Sequence, residues 1–166
     1  MGVDYNAVVL AAGTSERMGR PKLELSFNGD SSFAESCISL YKEVGCKRIV
    51  IVANSNGIRW LEKQPGLCSS PASAVLNPDP SKGRLFSLQL GLSALGNNGS
   101  YIFIHNVDNP LITPEIVRWL ASYSGRADCI RPVCKIPGKD DSLKQDYHTS
   151  RLAEQKSTLD ESRVGS

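Results

Sequence analysis

The sequence predicts an α/β protein with a mostly parallel sheet and helices on both faces, and three observations lead there. Five short apolar runs alternate along the chain with segments whose apolar residues recur at helical spacing. The runs read as buried strands, which is the pattern of a sheet covered on both sides. The first of them passes directly into a turn of small residues and then into cations, within residues 8–25, VVLAAGTSERMGRPKLEL.

Taken in order, Val8, Val9 and Leu10 form the first strand, and Ala11, Ala12 and Gly13 have side chains small enough for a base or phosphate to rest on the main chain. Residues 25–27 and the Asn28-Gly29 turn lead to Ser32, three positions before Glu35, a capping box. The helix that follows carries Phe33, Cys37, Leu40, Tyr41 and Val44 on one face and ends near Gly45. Residues 48–53, RIVIVA, are the second strand. Asn54 or Ser55 caps a short helix bearing Ile58 and Leu61, broken by Pro65 and Gly66.

A third strand over 74–76 ends at Asn77, and the loop NPDPSKG leads to a helix over 84–95 with Leu85, Leu88 and Leu92 on one face. Residues 101–105, YIFIH, are the fourth strand, with a loop at its carboxyl end over 106–111. Thr113-Pro114-Glu115 starts a helix whose Ile116, Val117 and Leu120 face inward, and residues 128–133 make a fifth strand. From Lys135 the chain is polar, too sparse in apolar residues for a core strand, with at most one weak helix around 151–159. The expected organisation is a domain over 1–134 and a mobile tail over 135–166.

At 166 residues, 40% hydrophobic and 22% charged, the chain suits one globular domain. No apolar run approaches the roughly 20 residues that span a bilayer, and the first residues lack a secretion signal, so a cytoplasmic protein without membrane partners is expected. Five cysteines without a CxxC pair point to free thiols, not to disulfides or zinc. Nineteen Lys and Arg against seventeen Asp and Glu leave a net charge of +2, too little to draw nucleic acid, so any anion binding must be local.

That locality falls on the turn after the first strand, where Arg17, Arg20 and Lys22 follow Gly13 in an arrangement suited to a nucleoside triphosphate. A Walker loop is excluded because Lys22 is followed by Leu23, not by Ser or Thr. A dinucleotide fingerprint fails because Ala11 and Glu16 stand where glycines are needed. Cations that follow such a turn can hold the phosphates of that ligand, and Lys22 and Arg17 suit this.

Leu10-Ala11-Ala12-Gly13, Arg17, Met18-Gly19 and Pro21-Lys22 fall in the register of the nucleotidyltransferases, and the chain resembles the MobA-like NTP transferase family, in particular the branch typified by CTP:molybdopterin cytidylyltransferase. The resemblance implies a Rossmann-like, nucleotide-diphospho-sugar transferase-like fold. It implies Lys22 near the reacting phosphorus, Arg17 on the distal phosphates, and Asp108, in NVDNPLITPE, as a catalytic carboxylate and ligand of Mg²⁺. Leu10, Ala11, Ala12 and Gly13 would line the nucleotide, with Asn77, Gly83 and Ser87 of NPDPSKGRLFS around base and ribose. Guanylyl-transferring relatives typically carry LAGG, so LAAG favours CTP, although uridylyl- and thymidylyl-transferring relatives share it. Asn106 stands where relatives usually have Gly.

The resemblance spans roughly residues 5–133. The Gly-His-Pro segment and last strands that shape the acceptor pocket in relatives have no counterpart, so the C-terminal part of the fold reads as shortened. The resulting expectation is CMP transfer from CTP·Mg²⁺ to a phosphorylated acceptor, most like molybdopterin, with a non-catalytic nucleotide-binding module as the alternative. His105 and His148 have no partners at metal-ligand spacing; His105 reads as a packed or hydrogen-bonded residue, His148 as a solvated one, and Trp60 and Trp119 as packing residues.

Overall fold

The computed structural model describes residues 4–13, 21–27, 29, 31–96, 101–109 and 111–132. It divides into two compact units, Met1–Trp119 and Leu120–Ser166. Arg17, Arg20, Cys134, His148, Val133 of the expected fifth strand, and the tail over 135–166 with its weak helix lie outside the described residues.

In the first unit, strand β1 (Tyr5–Ala11) precedes a small hairpin, β2 (Ser26–Phe27) and β3 (Ser31–Ser32), and helix α1 (Phe33–Glu43). Then come β4 (Arg48–Ala53), α2 (Ser55–Leu61), β5 (Ala72–Leu76), α3 (Gly83–Leu95), β6 (Tyr101–Asn106) and α4 (Pro114–Ala121). Four strands form a parallel sheet in the order β5-β4-β1-β6. The chain works outward from β1 through β4 to β5 and then crosses to place β6 on the other side of β1. The order therefore reverses between β1 and β6, where ligands of open α/β sheets bind beyond the strand carboxyl ends.

The alternation of side chains along the strands builds two cores. On one face Ala7, Val9, Ile49, Ile51 and Ala53 pack with Cys37, Ile38 and Tyr41 of α1, Leu61 of α2 and Val117. On the other, Val8, Leu10, Val50 and Val52 meet Leu95 of α3, with Leu88 and Leu92 partly buried beside them. The predicted capping box is present: Ser32 Oγ accepts from the Glu35 amide at 3.2 Å, and Glu35 accepts from the Ser32 amide at 2.6 Å. Gly45, at φ 82°, closes α1 in a conformation that favours glycine.

Four expectations need correction. Residues 128–132 form no strand: all are exposed, Pro132 has no amide to give a ladder, and Ile130 is the one large aliphatic among them. Leu85 is 60% exposed, because the buried line of α3 runs through Ser87, Gly91 and Leu95, with Leu88 and Leu92 partly buried beside it. In α4 Val117 is buried, while Ile116 is exposed. Trp119, expected to pack, is 53% exposed. The two-residue strands of the hairpin were too short for any periodicity to announce them.

Gly91 explains how α3 sits so close to the sheet. A Cβ there would lie 2.5 Å from Val8 Cγ1 and 3.0 Å from Val52 Cγ2, both in the packed core. Gly91→Ala is therefore expected to lower stability by about 1–3 kcal/mol despite alanine's better helix propensity, as overpacking does. Thermal denaturation checks this, and an unchanged or raised Tm would contradict it.

The short second unit is described over residues 120–132, where Tyr123, Ser124 and Arg126 amides bond back three residues in successive turns. The Arg126 guanidinium lies over the Tyr123 ring. No helix among the described residues is long and apolar enough to cross a membrane.

Candidate functional site

The carboxyl ends of β1 and β6 open on a cavity of about 400 Å³. Leu10, Ala11, Ala12 and Gly13 form one wall, Pro80, Gly83, Arg84 and Ser87 a second, and Asn106, Val107 and Asp108 a third, with Lys22 reaching in. Eight of the ten residues singled out from the sequence thus line one space. Asn77 does not line it, and Arg17 lies outside the described residues.

The first wall is held by Asn54. Its Oδ1 accepts from the Gly57 amide at 2.9 Å, capping α2, and its Nδ2 donates to the carbonyls of Gly13 at 3.2 Å and Ala12 at 3.4 Å. Of the two expected caps, Asn54 and Ser55, Asn54 fills the position, and its grip on a turn 41 positions away appears only in the fold. Asn54→Ser keeps a capping hydroxyl but is too short to reach both carbonyls. We expect it to leave thermal stability nearly unchanged and to weaken CTP binding in calorimetric titration; unchanged affinity would leave Asn54 a cap and nothing more.

Lys22 opens a single 3-10 turn anchored by fully buried Leu23. The residue that excluded a Walker loop is thus the one that fixes the lysine backbone. From there Nζ reaches Asp108 Oδ2 at 3.0 Å, an ion pair across the cavity whose side chains are 39% and 46% exposed. Pairs so exposed contribute only about 0–1 kcal/mol, which leaves both groups available to a stronger ligand.

On the second wall Gly83 has φ 81°, where any other residue is strained. Ser87 is buried, and Asn77 Nδ2 donates to its Oγ at 2.9 Å. Asn77 itself is fully buried, with Oδ1 accepting from the Asp79 amide at 2.8 Å. Its side chain therefore sets the Ser87 hydroxyl and the loop before α3. Arg84, which sequence reasoning missed, is exposed on this wall and forms no ion pair among the described residues. No periodicity or spacing marked it.

On the third wall the Val107 amide continues the β1 ladder by donating to Leu10 at 3.1 Å, and the Asn109 amide closes a turn on Asn106 at 3.0 Å. Asp108 sits in that turn. His105 is buried as expected, within 2.9 Å of the Asn109 carbonyl, and burial pushes its imidazole below the ordinary value.

Cys37, Cys46, Cys68 and Cys129 are free. Burial pushes the Cys37 and Cys46 thiols up to about 12, so neither supplies a thiolate near neutrality. No group of three or more His, Cys, Asp or Glu side chains stands together as a metal cage among the described residues. A single carboxylate in a cavity fits Mg²⁺, which keeps waters and takes its remaining ligands from substrate phosphates.

A parallel α/β sheet whose small-residue turn, lysine and carboxylate meet at the strand-order reversal has the layout of the nucleotidyltransferase class, with a cavity where open α/β sheets bind ligands. The chain belongs to the family of the MobA-like NTP transferase domain, whose model matches residues 7–154, past residue 133 where the motif resemblance ended. It is 28% identical over 133 residues to 2-C-methyl-D-erythritol 4-phosphate cytidylyltransferase of Rubrobacter xylanophilus, covering 79% of this chain and 56% of that protein. A solved nucleotidyl transferase from Methanothermobacter thermautotroptrophicus superposes with a TM-score of 0.57 at 28% identity, over 74% of this chain and 58% of its own. A Mycobacterium tuberculosis protein shares the fold with a TM-score of 0.63 at 20% identity, over 74% and 61% of the two chains. That protein has also been solved in complex with manganese, over 72% of this chain and 59% of its own, with a TM-score of 0.57 at 17% identity. The chain thus spans little more than half the length of the cytidylyltransferase it matches.

Proposed function

We propose that this chain transfers CMP from CTP·Mg²⁺ to a phosphorylated acceptor and releases pyrophosphate. The observation that carries the reading is the meeting of Lys22 and Asp108, at 3.0 Å, over the Ala12-Gly13 turn. Two groups of opposite charge that pair across an open cavity are suited to part around a triphosphate and its cation, the lysine taking phosphate oxygens and the carboxylate the metal.

In this reading the turn amides and Lys22 hold the triphosphate in line with the acceptor, and Arg17 takes the distal phosphates as the family motif implies. Ser87, fixed by Asn77, and the open backbone at Gly83 bind base and ribose. Ala12 puts a methyl group where a purine needs room, which favours CTP. Asp108 would hold Mg²⁺, which would supply charge neutralisation to the phosphates. The cytidylyltransferase relative is named for a phosphorylated sugar alcohol, and the motif resemblance points to molybdopterin, so both are acceptors to test.

The test is pyrophosphate release with CTP, GTP or UTP, Mg²⁺ and each acceptor. Release with CTP that requires both acceptor and metal supports the reading. CTP binding without release under any of these conditions favours a non-catalytic nucleotide-binding module instead.

A further inference from the structure

His105 stands next to last in β6, on the sheet face shared with Phe103, and packs edge to face on Tyr41 with ring centroids 5.6 Å apart. It is 2% exposed. Nε2 lies 2.9 Å from the carbonyl of Asn109. Because a carbonyl only accepts, Nε2 carries the proton, and Nδ1 is left buried with no partner among the described residues. A half-satisfied imidazole is a costly way to fill an apolar core position. What it contributes that Phe or Leu would not is one hydrogen bond to the loop beyond β6.

That loop carries Asp108. The Val107 and Asn109 amides tie it to Leu10 and Asn106. The His105 bond holds the carbonyl on the far side of Asp108, so the turn is fixed both before and after the carboxylate. We propose that His105 is a positioning residue that sets the Asp108 carboxylate for the divalent cation of a bound triphosphate, touching neither nucleotide nor metal itself. This rests on the nucleotidyl-transfer reading. Residues that orient a metal's ligands in this way typically matter by about 10- to 100-fold in metal affinity.

The test compares CTP affinity with and without MgCl2 in the wild type, His105→Phe and His105→Gln. The Phe variant keeps ring volume and the Tyr41 contact but has no donor, whereas Gln restores an amide donor. We expect the Mg²⁺ enhancement of CTP binding to fall about tenfold in the Phe variant, with metal-free affinity unchanged and most of the enhancement restored by Gln. A merely structural role would shift Tm and metal-free affinity together, without rescue. If the Phe variant does not fold, His105→Leu is the donor-free comparison and the same results decide. Wild-type enhancement that persists undiminished in the donor-free variant, or that Gln fails to restore, overturns the inference alone. Absence of any enhancement in the wild type overturns the reading beneath it as well.

Discussion

Lys22→Ala is expected to weaken CTP binding by about 1.5–3 kcal/mol, tenfold or more, while the fold stays intact. The lysine side chain is 39% exposed, and its one ion pair among the described residues is the exposed contact with Asp108. The anchoring of this segment falls to Leu23, which is fully buried in the core beside α1 and α2. Removing the lysine therefore takes a charge from the cavity without opening the core. Calorimetric titration with CTP, alongside thermal denaturation, separates the two effects. Unchanged affinity would remove the triphosphate from this wall, whereas a large loss of stability would make Lys22 structural. Arg17→Ala is expected to act in the same direction, on the strength of the family motif.

Asp108→Asn is expected to have two effects of opposite sign. Without metal, the loss of the carboxylate frees Lys22 from its partner, and CTP affinity holds or rises by up to about 1 kcal/mol, the most that an exposed pair contributes. With Mg²⁺, the variant lacks the one carboxylate that lines the cavity among the described residues, and the metal's enhancement of binding is expected to be lost. The crossing of these two results is what distinguishes a metal ligand from a turn residue. An Asp108 that merely shaped the turn would weaken CTP binding equally in both conditions, and equal enhancement in wild type and variant would contradict its role.

Much of the fold was legible because its signals are local. The buried β4 reads off RIVIVA without ambiguity, and the capping box at Ser32 and Glu35 places the start of α1 to the residue. The same locality gathered most of the site, since the small-residue turn, Lys22 and Asp108 each follow a structural boundary that the chain announces. What stayed hidden depends on contacts between distant segments. Small residues carry the closest approach of α3 to the sheet, so apolar periodicity alone put Leu85 on the packed face, where only Leu88 and Leu92 of the three lie partly buried. The resemblance implies Asn77 around base and ribose, and its hydrogen bond to Ser87 from a fully buried position is a contact that only the fold reveals. The sequence offers Asn54 or Ser55 as a cap and His105 as a packed or hydrogen-bonded residue, but the bonds that tie Asn54 and His105 to the site run to backbone carbonyls, which no side-chain pattern records. Arg84 reaches the cavity only through the placement of α3.

The central claim is that Lys22 and Asp108 part to hold a triphosphate and its cation over the turn after β1. A crystal structure with CTP and Mn²⁺ tests it most directly, because anomalous scattering locates the metal independently of the nucleotide. The account predicts manganese bound to Asp108 and phosphate oxygens, Lys22 swung from the carboxylate to the phosphates, and the base beside Gly83 and Ser87. Manganese and CTP bound away from this cavity, or a Lys22–Asp108 pair left intact beneath a bound triphosphate, would contradict it.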